Sequence, residues 1–277
     1  MRIRAAAARV WAYASISIVL GLILFLFLFI FANGAEVISL EFLTKAPRGA
    51  VLGEEGGIFP AIVGSLFFTG TALVLGSIPA IATAVYVVFY AKSRRWAGLI
   101  RLLVQCISGV PSIVLGLFSY SFLVRDLGLG RCVLSASAAL AVMILPFIEV
   151  RAEKAFSELP REMLQSSYAL GCSKSYTIFR IVLPAAGGEL VSGMILGGCY
   201  AMGATAPLIF TGGVAYAGIP DSLFSPAMAL PLHLYLLLAQ GATSMKTAYG
   251  TAFVMMAMIL VSNLLAMAYE RACRWKT

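Results

Sequence analysis

Residues 168–184 read YALGCSKSYTIFRIVLP. Lys174, Arg180 and a glycine hinge at Gly171 make this a cytosol-like stretch inside an otherwise oily chain. The 277 residues are 61% hydrophobic and 12% charged, with a mean hydropathy of +0.96, which is more apolar surface than a soluble domain of this length hides. The chain therefore belongs in a bilayer, and the quoted stretch is an excursion out of it.

A hydrocarbon core about 30 Å thick takes roughly 20 apolar residues as helix. Six runs of about that length stand out, at residues 10–31, 61–90, 102–124, 132–148, 190–211 and 247–269. Lipid offers the backbone no hydrogen-bond partner, so each run must be helical or sheltered within the bundle. None alternates as a barrel strand would. The expected fold class is all-α, a polytopic membrane protein with six transmembrane helices.

Cytoplasmic loops carry the excess of lysine and arginine. Six spans put both termini on one side, and placing that side in the cytoplasm gives 15 of the 20 cations to the inside. They are Arg2, Arg4, Arg9, Lys92, Arg94, Arg95, Arg101, Arg151, Lys154, Arg161, Lys174, Arg180, Arg271, Arg274 and Lys276. The twelve acids split six and six, so the formal +8 reads as topology and not as a nucleic-acid surface. The uncharged stretch 222–245 is not a seventh span. Pro226 and Pro231 interrupt it, its apolar heart at 230–239 is too short, and a seventh crossing would export the basic C-terminus. It reads as an external re-entrant or interfacial segment. The first run exceeds the 7 to 15 residues of a secretory signal and is expected to be a retained anchor.

The chemistry of an engine is missing. Gly171-Cys172-Ser173-Lys174-Ser175 lacks the glycines of a phosphate-binding loop, so ATP hydrolysis belongs elsewhere. One histidine, His233, excludes paired-histidine zinc motifs, and no catalytic residue or metal site is expected. It sits among leucines, where packing is the expectation and pH sensing the sharper alternative. Cys106, Cys132, Cys172, Cys199 and Cys273 are scattered, without disulfide or metal spacing. Acidic and basic residues are nearly absent from the runs, which argues against a proton-coupled carrier.

The loop at about 149–189 is the longest inside excursion, and it is patterned as two short helices. Pro160 suits a first turn and Glu162 the positive end of the helix dipole. Leu159, Met163, Leu164, Ser167 and Tyr168 fall on one face. Gly171 supplies a left-handed stop and Ser173 a cap. Tyr176, Phe179, Val182 and Leu183 follow before Pro184 ends the second helix. Apolar residues at helical spacing on a cytoplasmic surface suit a groove in a partner; the alternative is a solvated loop.

Those residues resemble the cytoplasmic motif of ABC importer permeases: EAA, three residues, Gly, nine residues, Ile, one residue, Leu-Pro. Gly171, Ile181, Leu183 and Pro184 match at that spacing, and the opening triplet is Gln165-Ser166-Ser167. EFLTKAPRG (41–49), GGIFPAIVGSL (56–66), GVPSIVLGLF (109–118) and GATAPLIFT (203–211) are similar to the A-type permease subunit of the bacterial phosphate importer. The resemblance implies an ABC importer type I permease fold. It divides the chain into an anchor helix and external linker (1–58) and a permease core (59–277) carrying the coupling loop. It also implies an inner-membrane location with cytoplasmic termini and an inorganic phosphate cargo. The partners implied are a second homologous permease as heterodimer, two copies of a cytoplasmic ATPase that bind the ATP and Mg²⁺, an external phosphate-binding protein, and lipid. The chain itself holds no cofactor on this reading and is not an enzyme. Another oxyanion or small solute, and a secondary carrier, are the alternatives.

The family reads Arg-Ala-x-Gly-Glu-Thr-Ala-Pro-Leu in the fifth span, where this chain has Tyr200 and Ala204 in place of the two charges. Losing both together avoids stranding one buried charge. Hydroxyl and backbone remain to meet an anion. Ser112 follows Gly109 and Pro111, and Thr205 lies between Gly203 and Pro207, where helices are interrupted and donors become available near the midplane. These six residues are the expected path lining.

Overall fold

The first apolar run forms α1 (Arg2–Gly34), which packs against the last helix of the chain through its C-terminal end. A computed structural model describes residues 2–49, 51–241 and 244–274. Lys276 lies outside the described residues, as do the side chains of Arg2, Arg4, Arg274 and Cys273. After α1 comes α2 (Leu40–Thr44), whose N-cap Ser39 accepts a hydrogen bond from the Phe42 amide. A two-stranded antiparallel hairpin follows, β1 (Pro47–Arg48) with β2 (Glu55–Gly56). Its turn needs glycine at Gly49 and Gly53, both at positive φ.

The bundle's heart is the pair α3 (Phe59–Val85), which continues as π-helix over Tyr86–Tyr90, and the later helix Val133–Ser157. Between them, α4 (Arg94–Ser108) and α5 (Ser112–Ser119, continuing as π-helix to Asp126) correct the expected third span. Residues 102–124 are not one rod: the two helices meet at 92° across the break at 109–111. α4 segregates polar from apolar side chains and buries only Ala97 and Val104, as suits a helix lying along the interface. The 15 residues 112–126 rise about 22 Å, less than the hydrocarbon core.

α6 (Val133–Ser157) packs on α3 through small residues. Ala72, Ala80, Ala136 and Ala141 are buried, and Ser137 Oγ donates to the Phe68 carbonyl at 3.1 Å. Close backbone approach replaces the hydrophobic drive that lipid cannot supply. α6 runs nine residues past the expected end of its span, so the excursion expected to begin at 149 begins as helix. It carries Glu149 fully buried, with Oε1 unpaired among the described residues, so a carboxylate does stand within a candidate span.

The excursion after α6 contains α7 (Arg161–Ala169), α8 (Lys174–Thr177, then π-helix to Val182) and α9 (Leu183–Ala185). α10 (Gly187–Met202) leaves at 67° to that segment. The expected fifth span, 190–211, is broken at 203–205 and resumes as α11 (Ala206–Thr211). α12 (Leu230–Ala239) is the expected short segment, seated between α3 and α13 (Met245–Arg274). The Leu230 amide donates to Ser65 Oγ at 2.8 Å, and a Cβ at Gly64 would collide with the Met228 carbonyl, so α12 rests directly on the α3 backbone. Among the described residues, four helices are long and apolar enough to cross a membrane, or six if each bent pair is one span.

Candidate translocation path and coupling loop

The two sequence interruptions meet. α5 packs on α11 so closely that a Cβ at Gly116 would lie 2.9 Å from Pro207 Cα and 3.1 Å from the Ala206 carbonyl oxygen. Glycine is needed there because backbone, which cannot rotate aside, fills the space a side chain would take. Gly109, Pro111 and Gly203 are exposed, Ser112 and Thr205 half-buried, and Pro207 buried at the contact. Neither the Ser112 nor the Thr205 hydroxyl makes a hydrogen bond among the described residues, so both keep a donor available.

Long-range contacts around this junction were out of reach of sequence spacing. Arg131 Nη2 donates to the carbonyls of Ile209 (2.8 Å) and Gly213 (2.7 Å), closing the C-terminal end of α11. The Tyr200 ring, on α10, packs against Phe147 of α6, with centroids 4.5 Å apart. Gly193 and Gly197 do serve close packing, against Arg151 and Ile148 respectively.

The expected coupling segment has two faces. Leu159, Leu164, Val182 and Leu183 join Ala152, Phe156 and Ala186 in a cluster with the C-terminal end of α3. Ser167 Oγ and Thr177 Oγ1 lie 2.8 Å apart and buried, pinning α7 to α8. Lys174 Nζ sits 4.5 Å from the centroid of the Tyr90 ring, tying the loop to the end of the π-helix that continues α3. The other face is apolar and outward: Leu170 is 84% exposed and Phe179 68%, with Tyr168 and Tyr176 beside them.

Gly171 takes φ +78, and Ser173 accepts from the Tyr176 amide, as the spacing implied. Four details differ. Tyr168 leaves the inward face and is exposed, one residue before α7 ends in a turn closed by the Leu170 and Cys172 amides. Tyr176, in α8, and Phe179, on the π-helical turn that follows it, are both exposed. Pro160 is the N-cap and not a first-turn residue. Pro184 does not end the second helical segment, which runs on to Ala185 before the chain turns at Ala186. Of the expected coupling residues, Gln165, Ser166, Gly171 and Pro184 are exposed, Ile181 and Leu183 half-buried, and Ser167 buried. His233 is buried with both ring nitrogens unpaired among the described residues. α12 is too short to be a span, and desolvation there lowers its pKa to about 4, so the ring is neutral and packs as an apolar group.

A family model described as binding-protein-dependent transport system inner membrane component matches residues 72–274. A protein of Methanocaldococcus jannaschii described as a probable phosphate transport system permease protein PstA is 32% identical over 207 residues, covering 74% of this chain and 73% of that one. Phosphate transport system permease protein PstA 1 of Mycobacterium tuberculosis is 35% identical over 194 residues, 69% of this chain and 63% of that one. Among solved structures, the MetNI methionine ABC transporter in inward-facing conformations superposes with a TM-score of 0.59 at 19% identity, covering 78% of this chain and 94% of that one.

Proposed function

This chain belongs to the binding-protein-dependent transport system inner membrane component family, and on that premise we propose that it is the permease subunit of an ABC importer for inorganic phosphate. The observation that carries the reading is the seating of α5 on α11, which joins two interrupted helices inside a membrane bundle and leaves hydroxyls without internal partners. In this reading the chain forms half of the path with a second homologous permease. Both termini are cytoplasmic, and an external phosphate-binding protein delivers the anion.

Two ATPase subunits, holding ATP and Mg²⁺, grip the outward face of the coupling segment at Leu170 and Phe179. Its inward face, pinned to α3 through Lys174 and Tyr90, carries their closure to the helices. Nucleotide then shifts the population between orientations of the bundle. The mechanism needs no covalent chemistry from this chain, only hydrogen-bond donors along the path and a hinged lever.

Co-purification tests the class. The solubilised chain should bring down an ATPase, and a chain that transports phosphate with no ATPase bound would be a secondary carrier instead. Within the path, Thr205→Val removes a hydroxyl and keeps the shape. It is expected to lower phosphate uptake about three- to tenfold, the worth of one neutral hydrogen bond. Unchanged uptake at unchanged expression would take Thr205 out of the path.

A further inference from the structure

One seam between α6 and α10 carries a row of residues that the sequence reading did not connect. Phe147 and Arg151 stand one turn apart on α6, and Gly193 and Tyr200 two turns apart on α10. The rings of Phe147 and Tyr200 touch. One step along the seam, the Arg151 stem lies over Gly193, where an added Cβ would come within 3.2 Å of Arg151 Cβ.

Beside the ring pair lies a cavity of about 290 Å³ lined by Ser108, Pro146, Phe147, Val150 and Arg151. Ser108 is the last residue of α4, so this cavity opens at the break in the path at 109–111. The Arg151 guanidinium makes no hydrogen bond or ion pair among the described residues, whereas nearby Arg101 is held by Glu153 at 2.7 Å. On its other flank, Arg151 borders a cavity of about 250 Å³ with Lys154, Glu158, Glu189 and Glu270. Three carboxylates make that side a poor resting place for an anion, and Ser108 marks the better one. Ser108 Oγ spends its proton on the Gln105 carbonyl at 2.7 Å, so its lone pairs are left to accept from a protonated anion oxygen.

We propose that this cavity is an oxyanion station at the inner part of the path, with Arg151 supplying its cationic contact beside the Phe147–Tyr200 ring pair. The inference rests on the phosphate-importer reading above. The ligand chemistry is a phosphate group, and the two sources are free phosphate in transit and the headgroup of an inner-leaflet lipid.

The test is the assembled transporter in proteoliposomes, read as phosphate taken up per ATP hydrolysed, for wild type, Arg151→Gln and Arg151→Lys. Losing a charge-assisted contact is expected to lower that ratio about ten- to a hundredfold in Arg151→Gln, with most of it restored in Arg151→Lys. A loss of uptake and hydrolysis together, leaving the ratio unmoved, would be a structural effect and overturns the station. So does a ratio equal to wild type. A deficit seen in phosphatidylglycerol bilayers that vanishes in phosphatidylcholine would assign the guanidinium to lipid headgroups and overturns it equally. Should the wild-type complex hydrolyse ATP and import no phosphate, the functional reading itself fails, and that result is visible without any variant.

Discussion

Gly116→Val is expected to reduce phosphate uptake by up to about a hundredfold while the chain still inserts and still binds its ATPase. The glycine faces Pro207 Cα and the Ala206 carbonyl, and both are backbone. A valine there must push α5 off α11. Overpacking of this kind costs about 1–3 kcal/mol, and each 1.4 kcal/mol is a factor of ten in the population of the seated arrangement. The coupling segment lies at the other end of α10, so ATPase association is spared. Gly116→Ala, adding one methyl, should lose less. Uptake by Gly116→Val equal to wild type would mean that the α5–α11 contact is ordinary packing.

The second large effect is expected from Leu170→Glu. Leu170 is 84% exposed and belongs to none of the buried clusters, so its loss leaves the fold of this chain in place. A leucine at the centre of an interface is worth about 2 kcal/mol or more when truncated, roughly thirtyfold in affinity. A carboxylate buried unpaired in the same groove adds a desolvation cost. The expected result is loss of the co-purified ATPase and of ATP-driven uptake, with the variant's thermal stability unchanged. Gln165→Glu, by contrast, alters an exposed position, where a restored ion pair is worth at most about 1 kcal/mol and should change little. An ATPase that binds Leu170→Glu as tightly as wild type would put the docking face elsewhere.

Local signals in the sequence carried much of this. The short segment at 230–239 was bounded by Pro231 and by the end of the leucine run, and α12 occupies the same residues. Gly171 and Ser173 were legible because a left-handed stop and a cap are properties of single residues read in place. The bend of 92° at 109–111 was not. Gly109 and Pro111 announce an interruption, but hydropathy averaged over a window blends an amphipathic helix with the span that follows, and the sequence holds no angle.

The candidate site divides the same way. Which residues break the helices was readable, yet the contact of Gly116 with Pro207 joins positions in different helices, and Arg131 reaches carbonyls 78 and 82 residues away. Spacing rules carry no such information. The Phe147–Tyr200 pair shows the same gap: Tyr200 was noticed for the charge it replaced, and its partner emerged only when α6 and α10 were seen side by side. The buried Glu149 was missed because the apolar run stops at 148, whereas the helix continues to Ser157.

The central claim is that a partner ATPase drives phosphate through a path half-built by this chain. Radiolabelled phosphate uptake into proteoliposomes holding the assembled complex and its external receptor tests it most directly. Accumulation that requires both ATP and the loaded receptor, and that stops in Leu170→Glu, is the result expected. Phosphate uptake that proceeds without ATP, or ATP hydrolysis stimulated by the receptor with no phosphate moved, would contradict it.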